Sequence, residues 1–303
     1  MLFKSVKDVQ DRMEATGYIP SQEICTIVFL AQETRKPILI EGPAGVGKTE
    51  LAKSIAACLE HAMIRLQCYE GLDESKALYE WAYAKQLLYT QMLQKKINEV
   101  VSDTASLAQA VDEIACHEDA FFSDRFLQTR PLLAAITSKD PVVLLIDEID
   151  KSDPEFEAFL LELLSDFQVT IPELGTIKAR TRPFVFLTSN NYRDMSDALK
   201  RRCIHIYIDY PTMETERQIV ATKLPGIGDR LLDQVVTTVA GIRELDLKKK
   251  PCISETLDWA RSLMILQKET LTPEVLDQTL NTLCKHKADY GVVRSRIKEL
   301  VQP

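Results

Sequence analysis

Short apolar runs alternate with helical patterns along the first part of the chain, up to about Tyr210. Runs of this length without internal polar residues are typical of strands that are buried on both faces of a parallel sheet. Their alternation with helices predicts an α/β fold. The predicted strands are Pro37–Glu41, Met63–Cys68, Val142–Asp147, Phe184–Thr188 and Ile204–Ile208.

The pattern changes after Pro211, where the strands stop and helical periodicity takes over. Ser254, with Asp258 nearby, and Thr272, followed by a proline, have the residue types of helix starts. We therefore predict two domains, an α/β domain over residues 1–211 and a helical domain over residues 212–303. The predicted helices of the second domain are Met213–Lys223, Leu231–Arg243, Ser254–Gln267 and Pro273–Lys287.

An insertion is predicted inside the first domain, at about residues 70–130. Between Thr49 and Asp147 lie 97 residues, whereas a simple βαβ unit needs about 30. Within the insertion, Asp73–Ile97 is predicted to be one long helix, and Glu99–Asp119 an acidic helix or two. We expect the aromatic residues of the first helix to pack against the core; they are Tyr79, Trp81 and Tyr83.

Composition narrows the functional classes. The net charge is −8, and the basic runs Lys200–Arg202 and Lys248–Lys250 are short, which disfavours a dedicated nucleic-acid binder. No apolar stretch reaches the length of a membrane span, and the charged start does not have the pattern of a secretory signal. Seven scattered cysteines without a C-x-x-C pair favour reduced thiols in a cytoplasmic protein.

A phosphate-binding loop is predicted after the first strand. The residues from Gly42 to Thr49 fit G-x-x-x-x-G-K-[ST], between an apolar run and a helical pattern. The glycines let backbone N–H groups converge on phosphate oxygens, and the helix start favours an anion. Lys48 would reach the β- and γ-phosphates, and the Thr49 hydroxyl would bind Mg²⁺. The expected nucleotide contacts are Gly42, Pro43, Ala44, Gly45, Val46, Gly47, Lys48, Thr49 and Glu50.

Two acids end the third predicted strand of the first domain. Parallel strands bring their carboxyl ends to one edge of a sheet, so Asp147 and Glu148 should lie beside the phosphate-binding loop. Asp147 is expected to hold Mg²⁺ through a water, and Glu148 to orient and deprotonate the attacking water. The loop and this pair together predict an ATPase.

Two further polar features follow along the chain. Asn190 ends the next strand, where it could bind the γ-phosphate or the water, or simply form a turn. Arg201 and Arg202 come next, and an arginine there could act on the nucleotide of a neighbouring subunit, which implies a ring. Two surface arginines are the competing interpretation. The residues alone leave Arg201 and Arg202 both open; Arg202 is the better match to the family that these motifs resemble.

In this order, these motifs resemble an AAA+ ATPase, a P-loop NTPase with a parallel sheet and a C-terminal helical lid. Within that group the chain resembles the MoxR type, over nearly its whole length. The supporting stretches are residues 37–52, Arg130–Leu133 and Phe167–Gly175, the last similar to a hairpin before the sensor strand. Residues 67–74 and 78–81 are similar to the ATPase that matures carbon monoxide dehydrogenase.

The resemblance implies a homo-hexamer that uses ATP to remodel a protein client. It implies a von Willebrand factor A (VWA) domain partner, maturation of a metalloenzyme, and a client-facing role for the insertion. Gln67 matches a polar residue that holds the catalytic Glu148 inactive until a client engages. One departure concerns the lid, where Ile253–Thr256 carries an acid in place of the usual arginine. Arg261 lies on another face of the helix and is a poor substitute.

Two other functions fit less well. A P-loop small-molecule kinase would not need two acids and an asparagine around a water, nor a separate lid. A DNA-acting AAA+ motor would share the fold, but the net charge of −8 opposes it. A GTPase is disfavoured because no N-K-x-D motif follows.

Overall fold

The computed structural model describes residues 2–101, 126–172 and 174–301. The strands in these ranges are β1 (Ile38–Glu41), β2 (Ala62–Gln67), β3 (Tyr79–Trp81), β4 (Leu127–Thr129), β5 (Val142–Asp147), β6 (Gln168–Ile171), β7 (Gly175–Lys178), β8 (Phe184–Ser189) and β9 (Ile204–Tyr207). The order β2-β5-β8-β1-β9 forms a parallel central sheet. All five predicted strands are present, with bounds shifted by no more than one residue.

The helices of the first part are α1 (Val6–Ala15), α2 (Gln22–Thr34), α3 (Lys48–Leu59), α4 (Glu74–Leu78), α5 (Tyr83–Val101), α6 (Pro131–Thr137), α7 (Pro154–Asp166) and α8 (Asp197–Arg202). Those that follow the last strand are α9 (Met213–Lys223), α10 (Asp229–Arg243), α11 (Ile253–Ile265), α12 (Pro273–Leu283), α13 (Lys287–Ser295) and α14 (Ile297–Leu300). No helix within the described ranges has both the length and the apolar character that crossing a membrane requires.

Both faces of the central sheet are covered. Successive residues of a strand point to opposite faces, and in β5 Leu144 and Ile146 join one apolar cluster while Val143 and Leu145 join another. All six residues of β5 are buried. This explains why the strand is continuously apolar until its terminal acid, Asp147.

Strand register brings the polar ends of the strands together. Gln67 of β2 stands opposite Asp147 of β5, and Glu41 of β1 stands opposite Ser189 of β8. Because the pairings are parallel, the segments that follow β1, β5 and β8 leave the sheet at one edge. The predicted hairpin before β8 is also formed, by antiparallel β6 and β7.

The start of the insertion differs from the prediction. Asp73–Ile97 is not one helix, because β3 interrupts it and pairs antiparallel with β4, a contact that local periodicity cannot reveal. Trp81 is buried and meets the Tyr79 ring edge-on, whereas Tyr83 is 66% exposed at the start of α5. The three aromatic residues therefore do not form one packed face. Most of Glu99–Asp119 lies outside the described residues.

The helices after β9 pack around an apolar cluster of their own, with Trp259 at 0% exposure. The starts of α10 and α11 and the ends of α11 and α12 differ from prediction. The N-cap of α11 is Cys252, not Ser254, because Glu255 accepts a hydrogen bond from the Cys252 N–H at 2.9 Å. Helix α12 ends at Leu283, because Cys284 is buried with extended backbone, and a new helix starts at Lys287.

Candidate functional site

The loop after β1 has a backbone that only glycine adopts easily. Gly42 and Gly45 have φ angles of 147° and 78°. A Cβ on Gly42 would lie 2.0 Å from the carbonyl oxygen of Ile208, and one on Gly45 would lie 2.1 Å from Cys252 Sγ. Gly47 is the N-cap of α3, so the loop leads directly into a helix N-terminus, where free N–H groups favour an anion.

Lys48, the first residue of α3, is buried and points back into the loop. Its Nζ donates hydrogen bonds to the carbonyl oxygens of Gly42 and Pro43, both at 2.7 Å. It also donates to Asn190 Oδ1 at 2.8 Å. Burial lowers the pKa of Lys48, and the nearby carboxylates, Asp150 foremost, act in the opposite direction. The loop thus holds an ammonium group where phosphate oxygens would enter.

Asp147 lies directly beside the P-loop threonine. Thr49 Oγ1 is 3.2 Å and 3.3 Å from the two oxygens of the Asp147 carboxylate. Thr188 of β8 donates to Asp147 Oδ1 at 2.5 Å and fixes that oxygen. Mg²⁺ prefers oxygen ligands, and in phosphate sites one or two protein oxygens bind it together with waters and phosphate oxygens. A hydroxyl and a carboxylate at this separation can supply those protein oxygens. The residues present therefore fit the implied metal.

Glu148 follows β5 with φ of 57°, a left-handed backbone conformation that is uncommon for residues other than glycine. Its Oε2 accepts hydrogen bonds from Gln67 Nε2 at 2.9 Å and from Lys151 Nζ at 2.7 Å. Its Oε1 accepts from Asn190 Nδ2 at 3.2 Å. Both carboxylate oxygens thus have partners, and Gln67 is one of them.

Asn190 joins the two halves of the site, because its amide meets Lys48 through oxygen and Glu148 through nitrogen. Asp150, which is 1% exposed, holds this segment in place. Its Oδ2 accepts the backbone N–H groups of Asn190 at 3.0 Å and Tyr192 at 2.9 Å. Sequence reasoning missed Asp150; its position three residues after Asp147 was the available signal.

Arg65 was also missed. Its Nη2 lies 2.5 Å from Asp147 Oδ2 and 2.7 Å from Gln67 Oε1. The signal for it was its place two residues before Gln67, on the same side of the strand.

Arg201 and Arg202 lie at the end of α8 and are exposed. Arg202 donates to the Ser165 hydroxyl of α7. Within the described residues, no hydrogen bond joins either arginine to the phosphate-binding loop. The structure therefore leaves both side chains at the surface, separate from the cluster around Lys48.

A cavity of about 500 Å³ adjoins the phosphate-binding loop. Its lining includes Lys223 of α9 and Glu50 of α3, which form an ion pair at 3.2 Å. Glu255, the acid found in place of the usual lid arginine, does not contribute to the lining. It caps its own helix and pairs with Lys249. Gly45, Val46, Gly47 and Glu50, which the sequence motif predicted as nucleotide contacts, line part of it. The other walls come from distant segments that no local motif could have identified; they include Tyr18, Ile19, Ile208, Ile219 and Leu257.

Comparison with known proteins identifies related sequences and folds. The model of the family "ATPase family associated with various cellular activities (AAA)" matches residues 38–210. An uncharacterised protein of Staphylococcus aureus (strain USA300) is 26% identical over 241 residues, 77% of this chain and 78% of that protein. The chaperone protein ClpB of Mycoplasmoides gallisepticum is 28% identical over 170 residues, 55% of this chain but 17% of ClpB.

Two solved structures of Thermotoga maritima RuvB mutants share the fold. One has a TM-score of 0.51 at 17% identity, covering 92% of this chain and 73% of that chain. The other has a TM-score of 0.50 at 19% identity, covering 92% and 72%. At this level of identity the likeness concerns the fold, a parallel sheet followed by helices.

Proposed function

Because the chain belongs to the AAA family of ATPases, we propose that it binds ATP with Mg²⁺ at the residues following β1 and hydrolyses it there. The observation that carries this proposal is the Asn190 amide, which links Lys48 to Glu148. A phosphate-binding cation and a carboxylate for water activation thus lie within one hydrogen-bonded group. The cavity beside the loop is of a size suited to the base and ribose.

The individual roles follow from position. Residues 42–50 hold the phosphates, with Lys48 at the β- and γ-phosphates. Thr49 and Asp147 hold Mg²⁺, which supplies charge neutralisation on the phosphate oxygens.

Glu148 takes a proton from the attacking water. Asn190 orients that water or the γ-phosphate, since it already lies between Lys48 and Glu148. The hydrogen bond from Gln67 to Glu148 restrains the carboxylate in the resting state, and its release would allow turnover. Arg202, which is exposed, contributes to the site of a neighbouring subunit.

We further propose that hydrolysis serves to remodel or mature a protein client, as in MoxR-type ATPases. The insertion between Thr49 and Asp147 and the β6–β7 hairpin support this, since both add surface beyond the nucleotide site. In this proposal the protein acts as a homo-hexameric ring together with a VWA-domain partner. Its task is the maturation of a metalloenzyme in the cytoplasm. A DNA-acting motor of the same fold is opposed by the net charge of −8.

Two substitutions test the ATPase. Lys48→Ala should abolish turnover and weaken ATP binding, whereas Glu148→Gln should keep ATP binding and lower turnover by about 100-fold or more. Phosphate release and titration with a fluorescent ATP analogue measure the two effects. Glu60→Gln is a matched control, because Glu60 also has a left-handed backbone, with φ of 56°, and is exposed. Normal turnover in Glu148→Gln would refute the assignment.

The same variants test the remodelling function. Glu148→Gln, loaded with ATP, should retain a client protein in a pull-down that Lys48→Ala does not retain. Light scattering with ATP should show a hexamer. A monomer at high protein concentration with ATP bound would contradict the ring, and equal capture by both variants would contradict an ATP-dependent client.

A further inference from the structure

A half-exposed arginine, Arg65, contacts Asp147 and Gln67 and has no role in the function proposed above. Arg65 lies in β2, two residues before Gln67, so both side chains stand on the same side of the strand. The Arg65 side chain is 48% exposed, while that of Asp147 is 4% exposed. Its Nη2 lies 2.5 Å from Asp147 Oδ2 and 2.7 Å from Gln67 Oε1. One nitrogen of Arg65 therefore contacts both Asp147, which is proposed to hold Mg²⁺, and Gln67, which restrains Glu148.

The guanidinium occupies a particular oxygen of Asp147. Oδ1 accepts the hydroxyl of Thr188 at 2.5 Å, which leaves Oδ2 as the more available acceptor for a metal-bound water. Arg65 is the basic residue that forms an ion pair with Asp147 among the described parts of the chain. A divalent cation beside Thr49 would compete with Arg65 for Oδ2, and the two positive charges would repel each other.

The same guanidinium sets the orientation of the Gln67 amide. Guanidinium groups only donate hydrogen bonds, so the Gln67 oxygen must face Arg65. The amide nitrogen then faces Glu148, where it donates to Oε2 at 2.9 Å. With Arg65 in place, a flipped amide would put its NH₂ group against a cation and its oxygen against a carboxylate, both unfavourable. Arg65 therefore favours the orientation that restrains Glu148.

We propose that Arg65 is a positioning residue that opposes metal binding at Asp147 and holds Gln67 in its restraining orientation. Binding of Mg²⁺ with ATP then draws Asp147 Oδ2 away from Arg65, and the restraint on Glu148 weakens as Arg65 moves. This inference rests on the proposed function, since it requires Mg²⁺ and ATP at the P-loop. It adds a link between loading of the site and readiness for hydrolysis.

Nucleotide binding without turnover tests the first half of the proposal. The affinity for a fluorescent, non-hydrolysable ATP analogue is measured with Mg²⁺ and with EDTA, and the ratio gives the tightening due to the metal. Arg65→Met should raise this ratio about tenfold, the size expected for one charge acting on a divalent cation at about 5 Å in a mostly aqueous medium. Arg65→Gln, which also lacks the charge, is a second variant.

The matched control is Arg294→Met, which removes an exposed arginine paired with Asp277 on the distant helices. Its ratio should equal that of the wild type. An unchanged ratio in Arg65→Met, or equal weakening with Mg²⁺ and with EDTA, overturns the proposal, because the arginine would then be inert or a phosphate contact. A wild type that binds no ATP would instead refute the proposed function.

Turnover in a double-mutant cycle tests the second half. Gln67→Ala should raise basal phosphate release in the wild-type background, because it removes the restraint on Glu148. In the Arg65→Met background the same substitution should raise it much less, since the orientation of Gln67 is already lost. An equal rise in both backgrounds overturns the link between Arg65 and Gln67.

Discussion

We predict that Gly45→Ala destabilises the protein, because the phosphate-binding loop packs directly against the helical lid. Gly45 has φ of 78°, and an added Cβ would lie 2.1 Å from Cys252 Sγ and 3.0 Å from Cys252 Cβ. Cys252 is the N-cap of α11 in the lid. Gly47 is the matched control, because it also has positive φ, at 103°, but an added Cβ would have no neighbour within 4 Å.

The two substitutions differ by one physical effect. An alanine with positive φ costs about 1–2 kcal/mol at either position. Overpacking against Cys252 adds about 1–3 kcal/mol at position 45 alone. We therefore expect Gly47→Ala to lower the free energy of unfolding by about 1–2 kcal/mol and Gly45→Ala by about 2–5 kcal/mol. Gly45→Ala should also weaken ATP binding more, since relief of the clash moves the start of α11 away from the nucleotide cavity.

Chemical denaturation of the single and double mutants separates the clash from the strain. Cys252→Ala removes the sulfur, so Gly45→Ala with Cys252→Ala should be at least about 1 kcal/mol more stable than additivity predicts. Gly47→Ala with Cys252→Ala should be additive within about 0.5 kcal/mol. Equal coupling in both pairs, or equal losses in the two glycine mutants, would refute the contact between lid and loop.

Three further outcomes can be measured. Arg243→Ala should lower the free energy of unfolding by about 3–5 kcal/mol in denaturation experiments, because it strands the buried Glu216 carboxylate that Arg243 binds at 2.6 Å and 2.8 Å; a loss below about 1 kcal/mol would contradict this. Burial raises the pKa of Cys68 to about 12, so at pH 8 iodoacetamide should modify it only after unfolding, as read by peptide mass spectrometry. Rapid labelling in the native protein would show that the thiol is accessible. Arg202→Ala and Glu148→Gln chains should each have strongly reduced turnover, and mixing them should restore part of it; no gain of activity in any mixture would contradict action between subunits.

Local pattern was enough to predict the sheet and the chemical groups at its edge. The five strands were predictable because β1, β2, β5, β8 and β9 are short apolar runs between polar boundaries, and burial on two faces imposes that pattern. The phosphate-binding loop was predictable because its backbone demands glycine at fixed spacing. Parallel topology then implied that Asp147 and Asn190 would lie beside the phosphate-binding loop, as their distances to Thr49 and Lys48 show.

Contacts between distant segments could not be predicted from the sequence. Strand β3 exists because it pairs with β4, and its local pattern alone looked helical. The start of α11 was misplaced because a cysteine serves as its N-cap, stabilised by Glu255 rather than by a strong capping side chain of its own.

The site itself shows the same division. The P-loop, the pair of acids and the amide at one sheet edge could be predicted, because each belongs to a contiguous motif. The contact of Arg65 with Asp147 and Gln67, the anchoring of Asn190 by Asp150 and the close approach of Cys252 to Gly45 became visible in the folded structure. The physical reason is that side-chain partners across strands and domains are selected by packing and charge in three dimensions, which spacing along the chain does not encode.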